Sequence, residues 1–131
     1  MGRIRVLLAD DHEAILDDIR ELLEPEFEVV GMVGDGQSLL SAADVFQPDV
    51  IVTDISMPCM NGIEAAKLIM QKKPGSRIVL MTVHNDPALV QQGLTVGALG
   101  YVLKLKAGEE LALAIHSALE DKRFVSPLVR A

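Results

Sequence analysis

Tryptophan is absent from this chain of 131 residues, aromatic residues make up 3% of it, and cysteine occurs once, at Cys59. A single thiol closes no internal disulfide and has no second thiol for metal or redox work, which suits a reducing cytoplasm. Long apolar runs are also missing. The unbroken stretches fall far short of the roughly 20 residues that span a bilayer, and Met1-Gly2-Arg3-Ile4 leads directly into a strand. The expectation is a soluble, cytoplasmic chain with no signal peptide and no membrane contact. Positive charge is scarce, with 12 Lys and Arg against 19 Asp and Glu and a formal net charge of −7. Phosphate contact needs clustered Lys and Arg, so this segment is not expected to hold DNA or RNA by itself. Lys72-Lys73, the densest basic spot, reads as a solvated helix end.

Half of the residues are apolar, enough for one domain with a sheet covered on both faces. Their pattern alternates between short continuous runs of Val, Ile and Leu and longer stretches at helical spacing, the signature of βαβ units around a parallel sheet. Strands are predicted at Ile4 to Ala9, Phe27 to Val33, Val50 to Thr53, Arg77 to Met81 and Leu99 to Leu103. The first helix, Glu13 to Leu23, should turn Ile15, Leu16, Ile19, Leu22 and Leu23 inward before Pro25 stops it. The second should bury Leu39, Leu40, Ala43 and Phe46, and the third runs from Ile63 to Lys72. Asp86 as N-cap with Pro87 at the first helical position starts a fourth helix toward Val96, weakened by Gly93 at a cost of about 1 kcal/mol relative to alanine. Gly108 to Asp121 forms the last. Five strands and five helices with short connections fit a doubly wound, flavodoxin-like α/β fold of strand order 2-1-3-4-5, whose ligand crevice lies between strands one and three.

That fold would gather residues that stand where apolar runs stop: Asp10 and Asp11 after the first, Asp54 after the third, and Lys104 after the fifth. Each has an ordinary reading alone, as a helix cap, a turn residue or a surface lysine. Together they do not. Two carboxylates about 4 Å apart repel by roughly 4 kcal/mol at an effective dielectric near 20, so a cation should accompany them. Oxygen donors without thiols select a hard ion, Mg²⁺ before Zn²⁺. His12 stands beside the acids but opens the helix, and is set aside as a ligand. Acids, metal and lysine suggest phosphoryl transfer, one carboxylate acting as nucleophile while cation and lysine neutralise the phosphoryl oxygens. Thr82, at the end of the fourth strand, could hydrogen-bond the same group.

Asp10-Asp11-His12, Asp54 with Met57-Pro58 and Asn61-Gly62, Thr82, and Gly97-Ala98-Leu99-Gly100-Tyr101-Val102-Leu103-Lys104 together resemble the receiver domain (CheY-like) of two-component response regulators. The match runs in order from Arg3 to Asp121. Val29-Val30-Gly31, Asp35-Gly36 and the Gly-Ala-x-Gly-Tyr run resemble the NarL/FixJ (LuxR-type) subfamily. The resemblance implies that Asp54 is the phosphoacceptor, supplied by a phosphohistidine on a sensor histidine kinase or by a small acyl phosphate. Mg²⁺ would be held by Asp11 directly, Asp10 partly through water, Asp54, and the Ser56 backbone carbonyl. Lys104 would pair with the phosphoryl group, Thr82 would move to hydrogen-bond it, and Tyr101 would rotate inward as the switch aromatic. Such a domain labels itself and slowly releases phosphate and is not a turnover enzyme.

Leu105 stands where many receivers place a cis proline, so a trans peptide is expected after Lys104. Ser56 and His84 occupy the two positions that flank the phosphoryl group and should tune its lifetime. Residues 1–121 are assigned to the receiver and 122–131 to the start of a linker, Phe124-Val125-Ser126-Pro127, leading to a helix-turn-helix domain absent from this chain. Transcription regulation would then require DNA contact through that domain, with a homodimer forming on phosphorylation; a stand-alone receiver acting by protein contact is the alternative. Leu113, on the polar side of the last helix, hints at an interface. A flavodoxin-like cofactor binder would need a phosphate loop where two acids stand. A haloacid dehalogenase-type phosphohydrolase would need a second acid two residues after Asp54, where Ser56 stands.

Overall fold

The short apolar runs become strands and the amphipathic stretches become helices in strict alternation, and a computed structural model describes residues 3–83 and 86–127. The order is β1 (Arg5–Ala9), α1 (Glu13–Leu23), β2 (Glu28–Val33), α2 (Gly36–Phe46), β3 (Val50–Asp54), α3 (Gly62–Lys72), β4 (Ile78–Thr82), α4 (Pro87–Thr95), β5 (Gly100–Leu103), α5 (Ala107–Leu119) and β6 (Phe124–Val125). Every strand pair is parallel and the sheet order is β2-β1-β3-β4-β5-β6. The doubly wound arrangement is the expected one, with six strands in place of five. Phe124 and Val125, expected in a linker, pair with Gly100 and Tyr101 at the open edge of β5.

Side chains alternate across the pleat, so each strand feeds two cores. Val6, Leu8, Val50, Val52, Val79, Met81 and Val102 meet α1 and α5 on one face. Leu7, Ala9, Ile51, Ile78, Leu80, Tyr101 and Leu103 meet α2, α3 and α4 on the other. Continuous Val/Ile/Leu runs are what a sheet covered on both faces requires.

Local chemistry fixes where helices begin. Asp35 accepts the Ser38 amide at 2.7 Å to cap α2, and Asn61 and Glu64 form a reciprocal capping box on α3. Asp86 caps α4 through the Ala88 amide at 2.9 Å, with Pro87 at the first position as expected. Two inward assignments need revision, and one glycine needs explanation. Leu22 is 42% exposed, because α1 presents Leu16, Ile19 and Leu23 to the sheet and Leu22 falls beside that stripe. Phe46 is 37% exposed, lying across Gly31 of the edge strand β2, where a Cβ would meet its ring at 3.0 Å. Gly93 is buried, since a Cβ there would stand 2.5 Å from Leu80 Cδ1, so the glycine that weakens α4 as a helix lets it approach the sheet.

Candidate functional site

β1 is flanked by β2 on one side and β3 on the other, so the connections leaving β1 and β3 diverge and open a crevice at their carboxyl ends. Asp10 follows β1 and is fully buried, Asp54 is the last residue of β3 and is 4% exposed, and Asp11 is exposed at the mouth. The short 3-10 turn Lys104–Lys106 after β5 brings Lys104 across to the acids. Its Nζ lies 2.6 Å from Asp10 Oδ2 and 3.0 Å from Asp54 Oδ2. The ammonium donates to Asp54 Oδ2, and its shorter contact is the ion pair with the fully buried Asp10 carboxylate. Asp10 Oδ1 accepts the His12 amide at 2.9 Å and lies 3.1 Å from His12 Nδ1. Asp10 therefore ties together the entry to α1, the lysine and the crevice.

Asp10, Asp11, His12 and Asp54 each offer one ligand atom, all within 4.8 Å of one another. Three carboxylates, two of them buried, form a donor set that could hold a hard divalent cation. His12, set aside from sequence, belongs to this cluster. Its exposed ring leans back over the acids and lies 3.1 Å from Asp11 Oδ1 as well. The only sequence signal for that was its adjacency to two acids.

Burial pushes the Asp54 carboxyl above its ordinary value, the nearby Asp10 charge adds to this, and Lys104 offsets only part of it. Burial opposes the charge on Lys104, yet the Asp10 and Asp54 carboxylates outweigh it and hold the ammonium above its usual range. An ammonium held charged between two buried carboxylates is placed to meet added negative charge at Asp54.

Thr82 ends β4, is 1% exposed, and pairs with Leu103, one register step past Met81, the partner of Asp54. Tyr101 is fully buried, so its ring already stands inward. Burial pushes its phenol up to about 12, the Asp86 charge adds to this, and the Thr82 hydroxyl holds it back. Ser56 is exposed, two residues past Asp54. No cis peptide occurs among the described residues, so Leu105 follows Lys104 in trans. His84 lies outside the described residues.

A family model described as the response regulator receiver domain matches residues 6–116. The chain belongs to the response regulator receiver family. Relatives of this receiver include the uncharacterized transcriptional regulatory protein YxjL of Bacillus subtilis (strain 168), 40% identical over 98% of this chain and 60% of its own length. Transcriptional regulatory protein DegU of Brevibacillus brevis is 33% identical over 98% of this chain and 55% of its own. The receiver thus spans little more than half the length of these curated relatives.

Among solved structures, a LuxR-family two-component response regulator from Aurantimonas sp. SI85-9A1 superposes with a TM-score of 0.93 at 32% identity, covering 98% of this chain and 93% of that one. The isolated receiver domain of RcsB from Salmonella enterica serovar Typhimurium, solved with phosphomimetic BeF3-, gives 0.88 at 32% identity, with 98% and 96% covered. The CheY-like fold and the NarL/LuxR-type affinity expected from sequence are those of this receiver. Among the described residues, no helix is long and apolar enough to cross a membrane.

Proposed function

We propose that this receiver accepts a phosphoryl group on Asp54 from the phosphohistidine of a sensor histidine kinase, in the cytoplasm, and switches an output in response. The observation that supports it most is Lys104 Nζ bridging Asp10 and Asp54 at 2.6 and 3.0 Å inside an acidic crevice. An Asp54 carboxylate oxygen forms the bond to phosphorus as the P–N bond of the donor imidazole breaks, its electron pair leaving with the ring; with a small acyl phosphate, a P–O bond breaks instead. Lys104 neutralises the incoming phosphoryl oxygens, and Thr82 donates a hydrogen bond to them. Asp10, Asp11, Asp54 and the Ser56 carbonyl would hold Mg²⁺. When bound, the ion supplies charge neutralisation at the same oxygens. The phosphoryl group is then lost slowly by autodephosphorylation, with Ser56 and His84 tuning its lifetime.

The assigned output is transcription regulation through a DNA-binding domain outside this chain, with homodimerisation on phosphorylation. The greater length of its relatives and their names as transcriptional regulatory proteins support it. A structure of RcsB is of two dimers bound to two parallel DNAs. Residues 1–121, with β6 on the edge of β5, act as the receiver, and the chain after them begins the connection onward. The test is incubation with an acyl phosphate and Mg²⁺ followed by intact mass. The wild-type chain is expected to gain one phosphoryl group and Asp54→Asn none; an unmodified wild-type chain would falsify the assignment.

A further inference from the structure

α2, α3 and α4 each open on an Asp or Asn whose side chain accepts an amide of the first turn. α1 does not. His12 stands at its N-cap, a position that favours Ser, Thr, Asp or Asn, and the side chain makes no cap hydrogen bond. The ring turns back over the crevice instead. Its Nδ1 lies 3.1 Å from Asp10 Oδ1 and 3.1 Å from Asp11 Oδ1. The His12 amide donates to the same Asp10 oxygen at 2.9 Å, which fixes that carboxylate against the backbone carrying the ring.

This spacing is that of neighbouring ligands on one ion. In an octahedron with bonds of about 2.1 Å, adjacent donors stand about 3.0 Å apart and opposite donors about 4.2 Å. Nδ1 stands at the adjacent spacing from each of the two carboxylate oxygens, and Asp54 completes a set whose members all lie within 4.8 Å of one another. Charge agrees with distance. Asp10, Asp11 and Asp54 carry three negative charges, Lys104 returns one, and a divalent ion neutralises the remaining two. A neutral imidazole then adds a donor without adding charge. With its proton on Nε2, the ring leaves the Nδ1 lone pair facing the two acids.

We propose that His12 Nδ1 is a ligand of the crevice ion beside Asp10, Asp11 and Asp54, so that the crevice selects a borderline transition-metal ion of the Co²⁺, Ni²⁺ or Zn²⁺ type over Mg²⁺. This rests on the crevice as a cation site. Carboxylate, carbonyl and water oxygens are the ligands of Mg²⁺, whereas imidazole suits the later first-row ions. The His12 side chain is 65% exposed and that of Asp11 33%, so an arriving ion meets these two before the buried Asp10 and Asp54.

The experiment titrates the chain of 131 residues with Mg²⁺ and, separately, with Co²⁺ by calorimetry, and follows the ring protons of its three histidines by NMR. Co²⁺ is expected to bind more tightly than Mg²⁺ and to shift the His12 ring protons far outside the diamagnetic range. His12→Asn supplies a preferred helix cap, so the fold is retained. It should lose at least about tenfold in Co²⁺ affinity, as loss of even an outer-shell partner does in metal sites, and clearly less in Mg²⁺ affinity. His116→Asn, at the Glu26 contact on α5, should bind Co²⁺ as the wild type does. Equal losses for the two ions in His12→Asn, no loss for Co²⁺, an equal loss in His116→Asn, or an unshifted His12 ring overturns the ligation and leaves the crevice a cation site. A wild-type chain that binds neither ion, or that binds both as well after Asp11→Ala, overturns the cation site and the inference with it.

Discussion

A Cβ placed on Gly62 would stand 2.1 Å from the carbonyl oxygen of Asp54. The first residue of α3 is thus pressed against the backbone of the last residue of β3, and only glycine permits it. The Gly62 amide donates to Ile55 O at 2.8 Å, and the Thr53 hydroxyl donates to the same Asp54 carbonyl at 2.9 Å. The loop after Asp54 therefore folds back to hold that residue from behind while Lys104 meets its carboxylate from the front.

Replacing Gly62 with alanine is expected to force this loop away, costing about 2 kcal/mol as overpacking against backbone. Because Asp54 moves with its carbonyl, the rate of labelling by an acyl phosphate should fall as well. Urea denaturation and initial labelling rates measure the two effects. Wild-type values in both would show that the close approach does not govern Asp54.

Lys104→Met would leave Asp10 and Asp54, both buried, without their cation. Breaking a buried pair from one side is expected to cost about 3 kcal/mol. A divalent cation in the crevice would replace the missing charge, so the loss should be largest in a chelator and partly restored as Mg²⁺ is added. Equal destabilisation with and without Mg²⁺ would argue that the ion binds elsewhere.

The Tyr101 phenol stands at about 12, raised from 10.0 chiefly by burial. Between those values the folded chain binds more protons than the unfolded one, so stability falls as pH rises through that window. Lys104, also raised, loses its contribution as pH climbs through its own folded value. Tyr101→Phe should remove the phenol's share of the alkaline slope and leave the lysine's. This is the chain's only tyrosine, so tyrosinate absorbance reports the titration directly. A midpoint near 10 would mean the hydroxyl reaches water.

Gly93→Ala sets two effects against each other. Helix propensity alone favours alanine by about 1 kcal/mol. Against this, the new Cβ would stand 2.5 Å from Cδ1 of Leu80, a side chain with no exposure. The packing term should win, giving net destabilisation of about 1 kcal/mol in urea melts. A stabilised variant would show that α4 can lift from the sheet at little cost.

These residues also mark how far the sequence could be read. Asp10, Asp54 and Lys104 were legible because each stands where an apolar run stops, and a parallel sheet brings such ends to one edge. The cap at Asp86 and the start at Pro87 were legible for a similar reason, since capping depends on residues a few positions apart. Leu22 was misplaced because helical spacing defines a stripe but not its width. Phe124 and Val125 were read as linker because a two-residue strand carries no periodicity, and its pairing depends on an edge 24 positions away in sequence.

By itself the sequence determined the type of each main element, the parallel order of the first five strands, and the convergence of acids and a lysine at the switch point. Those follow from local hydrophobic period and from the few ways βαβ units can be wound. Only the tertiary structure decided that Lys104 lies nearer to Asp10 than to Asp54, that His12 joins the acids, and that Tyr101 already stands inward. It also decided that Gly93 faces Leu80 and that a sixth strand closes the β5 edge. Each of these is a distance between atoms brought close by sheet register and helix packing, and no local pattern encodes such a distance.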